Sequence, residues 1–361
     1  MKIKYLTITL CLTVVLSAQQ RKIVRAGGGP DPEMTKDWPK ISAKASTDPE
    51  ILAALGKYLD ALTARDLFSG TVLLARDGKP MFVKSYGFAN KDFAVPNTND
   101  TKYNLGSINK VFTKAALMQL RDAGKIDFSK TLRTYLPDYP SEIADRVTIE
   151  QLLEHTSGMG DFFGPDYMAI PKNRLRTLSD YAALFEKKPL EFAPGSSRRY
   201  SNAGYIVLGL VIEKLSGMSY YDYVQTKIFA PLEMKDTASY PADAIVPNRA
   251  VGYTTRGEEA DVPRHPNTYT LPGRGSSAGG GYSTVADMLR FATSARKVLS
   301  PAAFEELIGT SPGLGFGGGA PGLNAAVELE GKWAVIVLSN YDPPTAEEVA
   351  KNVRTLLGVG E

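Results

Sequence analysis

Gly106-Ser107-Ile108-Asn109-Lys110-Val111-Phe112-Thr113-Lys114-Ala115-Ala116-Leu117-Met118-Gln119-Leu120 opens a helix whose own composition places it inside a core. Val111, Phe112, Ala115, Ala116 and Leu120 read as fully buried, and a helix apolar on all sides is buried rather than laid on a surface. The pattern predicts a helix over 107–123. Further helical patterns follow at 148–155, 178–186 and 203–215, so helices dominate from 107 to about 235. Outward from this block the period changes. Gly70 to Arg76 and Met81 to Tyr86, joined by Asp77-Gly78-Lys79-Pro80, have the β-branched content and turn residues of a hairpin. Strand signals return at 323–329 and at Trp333 to Ser339. A helix at 48–65, with Ile51, Leu52, Leu55, Tyr58, Leu59 and Leu62 at helical spacing, precedes the first strands, and another at 345–357 follows the last. Strands at both ends with helices between predict one α/β sheet domain interrupted by a helical insertion.

The 361 residues, 43% hydrophobic and 22% charged, suffice for one large domain or two small ones and exclude a disordered or fibrous chain. Lys2 and Lys4, the apolar run from Tyr5 to Val15, and Leu16-Ser17-Ala18 ahead of Gln19 read as an export signal cleaved after Ala18. That run is short for a bilayer span of about 20 residues. Residues 19–45, with Gly27-Gly28-Gly29-Pro30, read as a flexible leader, and 46–361 as the folded domain. The expected product is a soluble periplasmic or secreted protein with no membrane attachment after signal removal. Cys11, the only cysteine, would leave with the signal. The 42 Lys and Arg against 39 Asp and Glu give +3, and losing Lys2 and Lys4 leaves 40 against 39, or +1. That balance, without a long basic run, argues against a nucleic-acid partner. His155 and His265 lack metal-ligand spacing, so neither a metal nor another cofactor is expected.

Ser107 and Lys110 stand at i and i+3, on one face at the start of the buried helix. There Lys110 can take a proton from the Ser107 hydroxyl or stabilise its alkoxide, and the helix N-terminus adds partial positive charge. The tetrapeptide alone also fits a helix cap beside a solvated lysine. About one S-x-x-K is expected by chance in a chain this long, and Ser294-Ala295-Arg296-Lys297 is a second match. Tyr200-Ser201-Asn202 offers a phenol to share proton transfer and an amide to hold a carbonyl, or merely a loop capping the next helix. Leu152-Leu153-Glu154-His155-Thr156-Ser157-Gly158 reads as a helix end stopped at glycine, with His155 a satisfied buried histidine. Gly275-Ser276-Ser277-Ala278-Gly279 matches a nucleophile elbow without the strand that should precede it. Gly313 to Gly318 matches a dinucleotide fingerprint without its strand and helix.

Taken in order, GSINK (106–110), GKIDFSKTLRTYLPDYP (124–140), VTIEQLLEHTSG (147–158), FAPGSSRRYSNAGYIVLGLVIEKLSG (192–217), IFAPLEMKDT (228–237), GGGYSTVADM (279–288) and GGGAPG (317–322) resemble the serine β-lactamase-like, penicillin-recognising hydrolases. The likeness is to the class C β-lactamase, D-Ala-D-Ala carboxypeptidase and family VIII esterase branch, and runs from about 50 to 342. It implies a β-lactamase/transpeptidase-like α/β (α+β) fold, an antiparallel sheet flanked by helices with an inserted all-helical lobe at about 107–240. It also implies acyl transfer to Ser107 from a small ester, amide or peptide, with Lys110 and Tyr200 moving the protons. Asn202 would contact substrate, and the backbone N–H groups of Ser107 and Gly319 would form the oxyanion hole. The third motif of the family, Lys-Thr-Gly or His-x-Gly on an edge strand, falls here on Phe316-Gly317-Gly318, followed by Gly319. Phe316 brings no charge and no hydrogen-bond donor to the substrate-binding wall, and the approach from Asp287 to Phe316 is short, as if a strand pair were lost. The rival expectation is therefore a catalytically impaired relative that binds peptide or cell-wall fragments.

Overall fold

A computed structural model describes residues 35–256, 263–308 and 314–359. In chain order the elements that position the site are helix α1 (Asp48–Ala64), strands β1 (Gly70–Arg76) and β2 (Lys79–Tyr86), helices α2 (Asn109–Asp122), α3 (Asn202–Ser216), α4 (Val285–Ser294) and α5 (Pro301–Leu307), strands β3 (Leu314–Ala320), β4 (Leu323–Glu330) and β5 (Trp333–Ser339), and helix α6 (Thr345–Leu357). The five strands form one sheet in the order β2-β1-β5-β4-β3, every pair antiparallel. This is the expected β-lactamase/transpeptidase-like α+β architecture.

Both faces of the sheet are covered, which is why Trp333 to Ser339 reads as an unbroken apolar run instead of an alternation. Val72, Leu74, Val335 and Val337 point to one face and pack against Ile51, Leu55 and Leu59 of α1 and Val349 and Val353 of α6. Leu73, Ala325, Val327, Ile336 and Leu338 point to the other and join the core of the helical lobe with Phe112, Ala116, Ile206 and Val211. The register lines these side chains into rows across the sheet. Leu73, Ile336, Val327 and Phe316 form one row, and Thr71, Leu338, Ala325 and Gly318 the next. Phe316 is thus the edge member of an apolar row and half-buried against the lobe core.

Several expectations change. The predicted helix over 107–123 starts as a 3₁₀ turn, Gly106–Ile108, before α2 begins at Asn109. The helices packed on the lobe side are not confined to 107–240. α4 and α5 fill much of the short approach to Phe316, with Phe291 edge-on to Phe112 at 5.0 Å and Arg121 paired to Glu306 at 2.8 Å. The stretch read as a failed dinucleotide fingerprint is largely β3 itself, glycine-rich and without the β-branched residues that mark a strand. Helix 149–153 is closed by His155 in the left-handed region (φ 60°), not by Gly158. The signal (1–18) and most of the leader lie outside the described residues. Its last part, 35–45, is tied to α6, with Ile41 N donating to Asn352 Oδ1 at 2.8 Å and Ala45 N to Leu356 O at 2.9 Å. That part belongs to the fold rather than to a flexible leader.

Candidate active site

Three separate segments meet at Ser107, and local sequence explains each. Gly106 turns the chain with φ 52° so that Ser107 sits in the tight turn that feeds α2. In such a turn residues i and i+3 nearly eclipse, bringing the Lys110 side chain back over Ser107. Lys110 Nζ lies 3.3 Å from Ser107 Oγ. The second segment enters through Ser201, whose hydroxyl caps α3 by accepting from Gly204 N at 2.9 Å. Just before the cap, Tyr200 Oη donates to Ser107 Oγ at 2.7 Å. Just after it, Asn202 Oδ1 accepts from Lys110 Nζ at 2.7 Å.

The third segment is the backbone of β3. A Cβ on Gly318 would lie 2.1 Å from Leu105 O and 2.9 Å from Ser107 N, and a Cβ on Gly106 would lie 2.9 Å from Gly319 N. Glycine at both positions lets the two backbones touch, which puts the Ser107 and Gly319 amides side by side. Of the residues predicted for the site, Ser107, Lys110, Tyr200, Asn202, Gly318 and Gly319 converge. Phe316 lies two residues along the same strand face, about 7 Å by strand rise, and adds an apolar wall. The rival S-x-x-K does not assemble. Ser294 ends α4 and Lys297 is exposed.

Lys110 is 7% exposed, and burial pushes its ammonium down to about 7, with the negative charge of Asp161 pulling the other way. Its nitrogen also donates to the carbonyl of Ala278 and lies 4.8 Å and 5.3 Å from the ring centres of Tyr200 and Tyr205. Burial raises the Tyr200 phenol, opposed by its bond to Ser107, so Tyr200 keeps its proton at neutral pH and is a donor there. His155 is a buried, satisfied histidine. Burial, then the Lys110, Lys114 and Arg198 cations, push it down to about 3. Neutral, it accepts from Ser201 N through Nδ1 at 3.2 Å and packs its ring 4.6 Å from Tyr200 and 5.1 Å from Tyr205.

Sequence reasoning missed two contributors. The loop 275–279, set aside as a false nucleophile elbow, supports the start of α2. Its Ser276, Ser277 and Ala278 carbonyls accept from Asn109, Thr113 and Lys110. Asp161, beside the His155 block, accepts from Asn202 Nδ2 at 2.6 Å. Its nearness to that block was the one signal that pointed to it. Among the described residues no group of His, Cys, Asp and Glu is arranged to hold a metal ion.

The chain is similar to known proteins. The chain is 32% identical over 220 residues to Penicillin-binding protein 4* of Bacillus subtilis, covering 60% of this chain but only 47% of that protein, so it spans about half the length of that relative. It is 30% identical over 290 residues to the putative penicillin-binding protein PbpX of the same organism, covering 76% of this chain and 71% of the relative. The crystal structure of a penicillin binding protein from Bacillus halodurans superposes with a TM-score of 0.73 at 29% identity, over 86% of this chain and 99% of that one. The beta-lactamase family profile matches residues 55–359. By fold, by sequence and by that match, the chain belongs to the beta-lactamase family.

Proposed function

We propose that this chain is a serine hydrolase that forms an acyl-enzyme on Ser107 with a small ester or amide. The observation that carries the reading is the Ser107 hydroxyl held between Tyr200 Oη at 2.7 Å and Lys110 Nζ at 3.3 Å. Near neutral pH much of Lys110 is unprotonated, its two N–H groups taken by Asn202 and Ala278 and its lone pair left for Ser107. That lone pair accepts the hydroxyl proton as Oγ bonds to the substrate carbonyl carbon. The resulting oxyanion forms in front of the Ser107 and Gly319 amides at the start of α2. Tyr200 passes its proton to the departing alkoxide or amine as that bond breaks and regains one from Lys110. Water, deprotonated by the same pair, then attacks the acyl carbonyl and frees Ser107. Asn202 gives one amide hydrogen to Asp161 and has a second for a substrate carbonyl.

Phe316 offers nothing to a substrate carboxylate, which favours esters and neutral amides over β-lactams. The same residue supports a second reading, a catalytically impaired relative that binds peptide or cell-wall fragments. We place the protein outside the cytoplasm on the strength of the signal-like run from Lys2 to Ala18. Among the described residues no helix is long and apolar enough to cross a membrane. Labelling by fluorescent fluorophosphonate or penicillin probes, abolished in Ser107→Ala, tests the enzyme reading. Folded protein that neither probe labels refutes it, and binding of peptidoglycan fragments that survives Ser107→Ala without turnover of any ester establishes the second.

A further inference from the structure

We propose that Asp161 is a positioning residue that fixes the Asn202 amide and, through it, Lys110. The inference rests on the serine hydrolase reading above. Asn202 bridges two opposite partners, its Nδ2 donating to Asp161 Oδ2 at 2.6 Å and its Oδ1 accepting from Lys110 Nζ at 2.7 Å. A carboxylate only accepts hydrogen bonds, so Asp161 selects the amide's NH₂ edge and turns its oxygen toward the lysine. Without the carboxylate the amide is free to rotate half a turn and present NH₂ to Lys110, which would block the base.

Asp161 is itself held. Its Oδ1 accepts from Phe163 N at 3.1 Å, and the preceding Gly160 carbonyl accepts from Ser201 Oγ at 2.7 Å, the hydroxyl that caps α3. The loop and the start of α3 are therefore clamped at two adjacent points. A purely structural role, an aspartate turning its own loop at Phe163, accounts for the Oδ1 contact but not for the Oδ2 contact to Asn202.

The charged surroundings make the arrangement measurable. Lys110 faces Ser107 from its own turn, the Ala278 carbonyl from the 275–279 loop, and the neutral rings of Tyr200 and Tyr205 from the 200–205 segment. His155 is neutral, and the Lys114 and Arg198 charges that act on it are of the same sign as Lys110. Asp161 supplies the opposite charge that acts on Lys110, and removing it lowers the pH at which the lysine gives up its proton.

The test compares wild type, Asp161→Asn and Asp161→Ala as full chains. Two readouts are followed against pH: the rate of fluorophosphonate acylation, and the ¹³C resonance of the Lys110 ε-carbon, assigned by its loss in Lys110→Met. Asp161→Asn keeps an acceptor for Asn202 and removes only the charge. It is expected to move the acid limb of acylation and the NMR midpoint down together by about one pH unit. Asp161→Ala is expected to lower the plateau rate by about 10- to 100-fold as well, because the amide loses its guide. A plateau in Asp161→Ala within a few-fold of wild type overturns the positioning role, and a limb and midpoint unmoved in Asp161→Asn overturn its coupling to Lys110. If the wild type is not acylated at any pH, the hydrolase reading falls. The NMR midpoint still decides, supporting the coupling if it drops in Asp161→Asn and overturning it if it stays.

Discussion

Replacing Gly318 by alanine, with Gly317→Ala as its control, tests whether the contact between β3 and the Ser107 turn builds the oxyanion hole. An alanine Cβ at 318 would lie 2.1 Å from Leu105 O, 2.9 Å from Ser107 N and 3.1 Å from Ile108 N, all of them backbone atoms. A carbon and an oxygen in contact need more than 3 Å, so the strand must retreat from the turn by about 1 Å, as neither side has a rotamer to change. That retreat carries the Gly319 amide away from the Ser107 amide. A misplacement of this size costs about 100-fold in rate, and loss of one oxyanion donor about 100- to 1,000-fold, or 2.7–4 kcal/mol. The added methyl group is also expected to cost about 1–3 kcal/mol of stability through overpacking. At 317, on the other face of the strand, the nearest atom to a new Cβ is Glu347 Oε1 at 3.9 Å, an ordinary contact. Hydrolysis of a chromogenic ester, followed at saturating and subsaturating concentrations beside urea denaturation, separates the effects. The expected result is a fall in kcat of at least about 100-fold in Gly318→Ala with KM little changed, and near wild-type kinetics in Gly317→Ala. Folded Gly318→Ala that turns over within a few-fold of wild type would show that the Ser107–Gly319 pairing is not where the oxyanion forms.

Because burial holds Lys110 at about 7, ester kcat/KM is expected to rise with pH to a plateau with its midpoint near 7, and a flat profile from pH 5 to 9 refutes the lysine base. The same depressed value links to stability. Between about pH 7 and 10.5 the unfolded chain keeps a proton that native Lys110 has lost, so stability should rise with pH in that window in wild type and less steeply in Lys110→Met, as read from urea midpoints. Phe316→His is expected to raise turnover of carboxylate-bearing substrates by restoring a donor to the third wall. An unchanged rate there traces the deficit to the short approach from Asp287. His155→Phe keeps a ring against Tyr200 but leaves Ser201 N without its acceptor, and should cost about 1–3 kcal/mol in chemical denaturation.

What was legible in the sequence was what carries a period or an ordered motif. The two-sided burial of β1 and β5 produces apolar runs that announce strands, and the helix from 109 announces itself because every side is apolar. Ser107, Lys110, Tyr200 and Asn202 were found because each lies within a block of recognisable order. β3 was hidden because its site-forming residues are glycines, chosen for the absence of a side chain where two backbones touch, and glycine carries no strand signal. α4 and α5 are short, 10 and 7 residues, and give the helical period few turns in which to show. Asp161 and the carbonyls of 275–279 were invisible for another reason. Their work is done by a single carboxylate and by backbone atoms, whose partners depend on loops meeting in space.

The apolar wall at Phe316 and the titration of Lys110 bear on each other. A cation in the third motif, two residues and about 7 Å by strand rise from Gly318, which touches the Ser107 turn, would repel the protonated form of Lys110. This chain has no such cation at that position, so burial must lower the lysine largely unaided while Asp161 opposes it. The balance near 7 is then set by burial pulling the value down against two features that both hold it up, an absent positive charge at 316 and a present negative one at 161. It follows that Phe316→Lys and Asp161→Asn should both shift the acid limb of activity downward. The two shifts should add in the double variant, since their charges act on Lys110 from different elements and share no hydrogen bond. Shifts of opposite sign would mean that the limb reports a group other than Lys110, and the assignment of the base would move with it.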